Sequence, residues 1–346
     1  MKPSHLHRQY AISFAAVASL LLSVWSATPA RAQQPTLAYV TNTTSNAVQV
    51  VNVDTGDILA AIPVGAIPVD IDASPDAQYM YVSNRGTNDV SVISTAQNAV
   101  LATITVGSAP EGIALSPDGG TLYVANTYGN SLSVVDTASR SVRATVAVGN
   151  FPGHIAVAPN PSGNPIYVTC RSDDKVAVVD TSSLNVTRTI DAGHTPWAIS
   201  LRPGGDLAYV SNINSGTVSV IATDSDYSDG GVLGRLRVGN GAWSVLRNPE
   251  WGTHSLYVTN SDDGTLSVLS SWWGGFALQR TVAMGQANST GPYEMAITPL
   301  GNSLLVPNYG SGTLNILKIK STSVRPSGSI SLGGTPMAVA VIGGDI

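Results

Sequence analysis

The chain of 346 residues holds a single cysteine, Cys170, so no disulfide can form within it, and an exported version would depend on its packed core alone. One cysteine also excludes the C-x-x-C-H run of a covalent c-type haem and the Cys/His set of a structural zinc site; no haem is expected. Lysine is almost as scarce, with only Lys175, Lys318 and Lys320 beyond residue 32. No basic stripe appears, so sequence-independent nucleic-acid binding lacks its electrostatic source. G-x-S-x-G, H-E-x-x-H and phosphate-loop patterns are missing as well, which removes the common signatures of hydrolases, zincins and nucleotide enzymes. No stretch sustains a helical period.

Residues 1–32 stand apart in composition. Lys2 and Arg8 precede an apolar run over residues 11–25, followed by the small-x-small sequence Ala30-Arg31-Ala32. This order predicts a secretory signal cleaved before Gln33, because about 15 apolar residues fall short of the roughly 20 that span a bilayer. The expected location is periplasmic or secreted, and no integral membrane segment is expected. Without Lys2, Arg8 and Arg31, 14 basic residues face 22 acidic ones, a net charge of −8.

The remaining chain is one pattern repeated. Tyr-Val-x-Asn at Tyr81 and Tyr123 recurs with drift at Tyr39, Tyr167, Tyr209, Tyr257 and, degenerate, Leu305, with spacings of 42, 42, 44, 42, 48 and 48 residues. Such a period is that of a propeller blade. Within one unit, residues 81–83, 90–93, 100–106 and 112–115 are short runs rich in β-branched side chains, separated by turns such as Ser116-Pro117-Asp118-Gly119. The prediction is an all-β, seven-bladed β-propeller with four antiparallel strands per blade, a monomer formed by residues 33–346 as one domain. Residues 336–341 have no successor strand and are expected to complete the first blade, which protects its edges.

Tyr-Val-x-Asn, Val-Ser-Val-Val-Asp-Thr, Thr-Ile-x-Val-Gly-x-x-Pro and Ser-Pro-Asp-Gly together resemble the YVTN-repeat β-propeller proteins of bacteria and archaea, over residues 37–342. Similar propellers include surface-layer and periplasmic binding proteins, lactonases, streptogramin-lyase-like enzymes and cytochrome-bearing reductases, so the resemblance speaks for fold more than for function. Departures occur at Cys170, at Pro307 and in longer loops around residues 224–231 and 272–275.

The resemblance implies that the innermost strand follows Val-Gly-x-x-Pro. One place after that Pro position the copies carry Val69, Glu111, Gly153, Trp197, Trp243, Tyr293 and Met337; two places after it, Asp70, Gly112, His154, Ala198, Ser244, Glu294 and Ala338. Small residues suit converging strands, with Ile71, Ile113, Ile155, Ile199, Val245, Met295 and Val339 alternating into the space between blades. Asp70, Glu111, His154 and Glu294 break the small-residue rule, and Trp197, Trp243 and Tyr293 occupy the other side of the ring. Loops after Tyr-Val-x-Asn add Arg85, Tyr128, Arg171 and Tyr309, while His194 belongs to the loops before the inner strands and His254 to the opposite end. Arg85 and Arg171 could pair with a ligand carboxylate or stand as ordinary solvated charges.

Such a funnel suits a small polar ligand with an apolar face, or a divalent metal held by Glu111, His154 and Glu294; it could equally be a water-lined channel. The functional expectation is a binding or interaction module for a small molecule or a protein of the cell envelope. The alternative is a metal-assisted hydrolase or lyase of the lactonase or streptogramin-lyase-like type.

Overall fold

A computed structural model describes residues 34–159, 165–223, 231–248, 255–272, 275–284, 291–320 and 323–344. They form seven four-stranded antiparallel sheets and two single 3₁₀ turns, Arg171–Asp173 and Ile213–Ser215. Residues 1–33, most of the loop at 224–231, half of that at 272–275 and His254 lie outside the described residues. Among the described residues no helix is long and apolar enough to cross a membrane.

The third blade shows how the repeat makes a sheet. Pro110–Leu115, Thr121–Asn126, Ser131–Asp136 and Ser141–Ala147 pair in chain order from the axis outward. Its first hairpin turns at Ser116-Pro117-Asp118-Gly119, where Gly119 sits at φ +73° and its N–H donates to the Ser116 carbonyl at 2.8 Å. The Asp118 carboxylate meanwhile accepts from the Ser116 hydroxyl and the Gly120 N–H, so each residue of the turn has a stated job. Asn126 then ties this strand to the loop before the inner strand, accepting from the Gly107 N–H at 3.0 Å. A Cβ on Gly107 would stand 2.4 Å from that Asn side chain, which explains why Asn and Val-Gly recur together.

The last strand, Pro336–Ile342, pairs antiparallel with Leu37–Asn42 and becomes the innermost strand of the first blade, followed outward by Ala47–Asn52 and Ile58–Pro63. Both ends of the repeat region thus share one sheet, and the ring closes.

Apolar side chains cluster between blades. Tyr39, Val48 and Val50 of the first blade meet Ile71, Met80 and Val82 of the second, and the closing joint sets Leu305 and Leu314 against Val40 and Val339. The alternating residues from Ile71 through Val339 are all buried, each contributing about 1.5–3 kcal/mol. Because the core lies between blades, the axis is left free for other side chains.

Candidate functional site

Every complete inner strand carries a bulge where the candidate residues stand. Its pairing shifts register between Pro68 and Ile71, Pro110 and Ile113, Pro152 and Ile155, Pro196 and Ile199, and Ala242 and Val245. A bulge breaks strict alternation and re-aims the residues within it, here toward the channel mouth. Hydroxyls at the third place of Tyr-Val-x-Asn lock these bulges. Ser83 accepts from the Asp70 N–H at 3.1 Å and donates to the Glu111 carbonyl of the next blade at 2.6 Å. Thr169 does the same for His154 and Trp197, Ser211 for Ala198 and Trp243, and Thr259 for Ser244 and Tyr293. Where that place is Ala125, Thr127 donates to the Pro152 carbonyl at 2.8 Å, one residue before the carbonyl that the other locks hold.

A cavity of about 190 Å³ opens at the mouth, with Asp70, Arg85, Glu111, His154, Trp197, Trp243, Glu294 and Tyr309 among its lining. Three arrangements meet there. In the first, Asp70, His154 and Glu294 offer donor atoms that all lie within 4.8 Å of one another. His154 Nε2 is 2.6 Å from Glu294 Oε1, although the two residues come from blades 140 positions apart in the chain. Asp70 is 6% exposed, and its two oxygens accept the N–H groups of Ile71 and Ile113 at 2.7 and 2.8 Å. Burial pushes its carboxyl well above the usual range, reinforced by Glu294 and opposed by His154 and those N–H groups. Burial alone would discharge the His154 ring, but Glu294, with Asp70 and Asp72 behind it, outweighs burial and lifts the imidazole to about 9. At neutral pH His154 is therefore held as a cation.

The second arrangement centres on Glu111, which does not join that cluster. Its carboxylate is gripped by the Arg171 guanidinium and approached by Arg85 Nε at 3.4 Å. Arg171 also donates to the Thr127 hydroxyl at 3.1 Å and lies with its guanidinium carbon 4.2 Å from the centre of the Trp197 ring. It is 9% exposed, so it is no ordinary solvated loop charge. Arg85 donates to the Tyr128 hydroxyl at 2.7 Å nearer the rim.

The third arrangement is an aromatic arc. Trp197 and Trp243 have ring centres 4.0 Å apart, Trp243 and Tyr293 4.2 Å, and Tyr293 and Tyr309 5.2 Å in an edge contact. Burial raises the Tyr293 phenol to about 12, so it stays neutral.

Two histidine and cysteine positions fall elsewhere. His194 is exposed and faces Asp174 at 3.1 Å, away from the cluster. Cys170 is buried, and burial lifts its thiol to about 11. Sequence reasoning missed Asp72, a half-buried carboxylate accepting the N–H groups of Ala73 and Leu115, and it missed the locking hydroxyls, whose signal was the run of Thr and Ser at the x of Tyr-Val-x-Asn. A larger groove of about 350 Å³ runs between the second and third blades at the Ser-Pro-Asp end, lined by Tyr81, Asp118 and Arg140.

A family model described as lactonase, 7-bladed beta-propeller matches residues 30–153. No curated protein matches the chain. Among solved structures, it resembles the periplasmic gluconolactonase of Pseudomonas aeruginosa at 18% identity and TM-score 0.71, over 90% of this chain and 99% of that one. A 6-phosphogluconolactonase candidate from Bacteroides fragilis gives 17% identity and TM-score 0.72 over 90% and 98%. Hydrazine synthase of Kuenenia stuttgartiensis gives 20% identity and TM-score 0.68 over 80% and 95%. These likenesses agree with the seven-bladed β-propeller seen here. They carry the fold alone, because unrelated chemistries share it.

Proposed function

We propose that the protein is an exported propeller of the YVTN-repeat kind that binds a small polar ligand with a flat apolar face at its channel mouth. The arc of Trp197, Trp243, Tyr293 and Tyr309 facing Asp70, His154 and Glu294 supports this reading, because one wall offers π surface and the other charge-assisted hydrogen bonds. A ring-shaped sugar derivative fits that description, with its apolar face against the edges of the aromatic arc and its oxygens toward the carboxylates. The Arg171–Glu111 pair braces the arc from behind, and Arg85, itself 3.4 Å from Glu111, adds positive charge at the rim for an anionic substituent.

Lactone hydrolysis is the second reading, favoured by the lactonase model that matches residues 30–153 and so spans Asp70 and Glu111. Water would add to the lactone carbonyl, the ring C–O bond would break, and the alcohol oxygen would take up a proton to give the hydroxy acid. The carboxylates of the cluster would accept the water proton, and the His154 cation would balance the developing negative charge.

Calorimetric titration with a panel of aldonolactones and their hydroxy acids tests both readings. Saturable binding that Trp243→Ala weakens at least about tenfold, with the fold intact, supports the first. Base consumption in a pH-stat above the uncatalysed rate, abolished by Glu294→Gln, supports the second. A panel with neither binding nor turnover overturns both.

A further inference from the structure

We propose that Asp70, His154 and Glu294 hold one divalent transition-metal ion at the channel mouth, with its open coordination positions toward the aromatic arc. This deepens the reading of the mouth as the working face by naming what seats the oxygens of the ligand.

Geometry supplies the first argument. Donor atoms within 4.8 Å of one another can surround a shared centre at the roughly 2.0–2.2 Å distances of nitrogen and carboxylate ligands, after small rotations about the side-chain bonds. His154 Nε2 and Glu294 Oε1 already touch at 2.6 Å, so an ion would open that contact rather than draw distant groups together.

Charge supplies the second. Asp70, Asp72 and Glu294 bring three carboxylates to one imidazole, and the ion pairs of the described residues give those three no arginine or lysine. Both nearby arginines are occupied with Glu111. Asp70 is the buried one of the three, and a buried carboxylate is ordinarily paired or bound to a cation.

The third argument is how the donors are held. Among the described residues His154 Nε2 is met only by Glu294, so displacing that one contact frees it for an ion. Asp70 is better fixed: each oxygen accepts one backbone N–H, which orients the carboxylate and leaves a second lone pair on each oxygen for a metal. One imidazole with two carboxylates favours zinc or manganese over calcium, which prefers an all-oxygen shell of six to eight ligands.

The test uses the full-length mature protein, stripped with EDTA and dialysed, then titrated calorimetrically with zinc, manganese and calcium chloride. One zinc or manganese ion per chain is expected, at least about tenfold tighter than calcium. Cobalt(II) should give a visible absorption band that His154→Gln removes. His154→Gln and Glu294→Gln should each weaken zinc binding about 10–100-fold, whereas His194→Gln should leave it unchanged. Circular dichroism and the melting curve verify that the variants fold. Calcium binding as tightly as zinc, a stoichiometry other than one, or zinc binding indifferent to His154→Gln overturns the proposal. If gluconate titrates into metal-free protein while zinc does not bind, the metal site falls and the ligand-binding reading stands. If zinc binds and no lactone or hydroxy acid does, the metal site stands and that reading falls.

Discussion

The charged and aromatic sides of the channel mouth hang on the same backbone and differ in what holds neighbouring blades together. Both use the bulge after the Pro position and the hydroxyl lock, with Ser83 fastening the carbonyl of Glu111 on one side and Ser211 that of Trp243 on the other. On the charged side the inner strands come close: a Cβ on Gly112 would stand 2.3 Å from the Gly153 carbonyl oxygen. Gly153 occupies the place where the other side presents Trp197, Trp243 and Tyr293, and Arg171 reaches through that gap to Glu111. On the aromatic side the rings fill the space and touch each other. The scaffold therefore fixes where a side chain points, and two positions per blade decide what it presents.

Removing the cation from the charged side should break it most severely. Arg171→Met leaves Glu111, 7% exposed, with only the outlying Arg85, and an uncompensated buried charge costs about 3–5 kcal/mol. Adding Glu111→Gln to that variant should recover most of the loss in a thermal melt, as coupled pairs do. An unchanged melting temperature in the single variant would show that Glu111 is solvated and that the two sides are alike after all.

A smaller effect separates the sides by pH. In metal-free protein the His154 imidazole is lifted from an ordinary 6.5 to about 9, so between those values the folded state binds a proton that the unfolded chain has released. Its contribution is complete below pH 6.5 and lost as pH rises through 9, for a total of about 3 kcal/mol. Denaturant melts at pH 6 and 9.5 should show this decline, and His154→Gln should flatten it. On the aromatic side Tyr293 stays neutral up to about 12.

Seven blades, their four strands and the closure by the last strand were legible because each rests on a repeated local signal: the Tyr-Val-x-Asn strand, the Ser-Pro-Asp-Gly turn and the count of strands. Asp70, His154 and Glu294 were legible as exceptions to a rule of small residues. Their grouping was not, since it depends on how far apart opposite blades stand across the axis, a dimension that no spacing in the chain records. Arg171 was harder still. As a loop residue it reads as a solvated charge, and only the missing side chain at Gly153, in the neighbouring register of the ring, hinted at the space it fills. The locking hydroxyls were in plain view, but at a position written as x.

Those hydroxyls give the finest comparison of the two sides. Ser211→Ala on the aromatic side removes an acceptor from the Ala198 N–H and a donor from the Trp243 carbonyl, while Ser83→Ala on the charged side removes the same pair from Asp70 and Glu111. Each substitution strands buried backbone groups and should cost about 1–2 kcal/mol, a fall of a few degrees in melting temperature for a chain of this size. In the third blade Ala125 stands at the locking place, and the Thr127 hydroxyl donates to the Pro152 carbonyl, one residue before the carbonyl that the other locks hold. Equal losses from the two variants would mean that the scaffold is indifferent to the chemistry it carries. A distinctly larger loss from Ser83→Ala would mean that the lock on the charged side also restrains Asp70 against the repulsion of Glu294, and that the charged site is maintained against the preference of the fold.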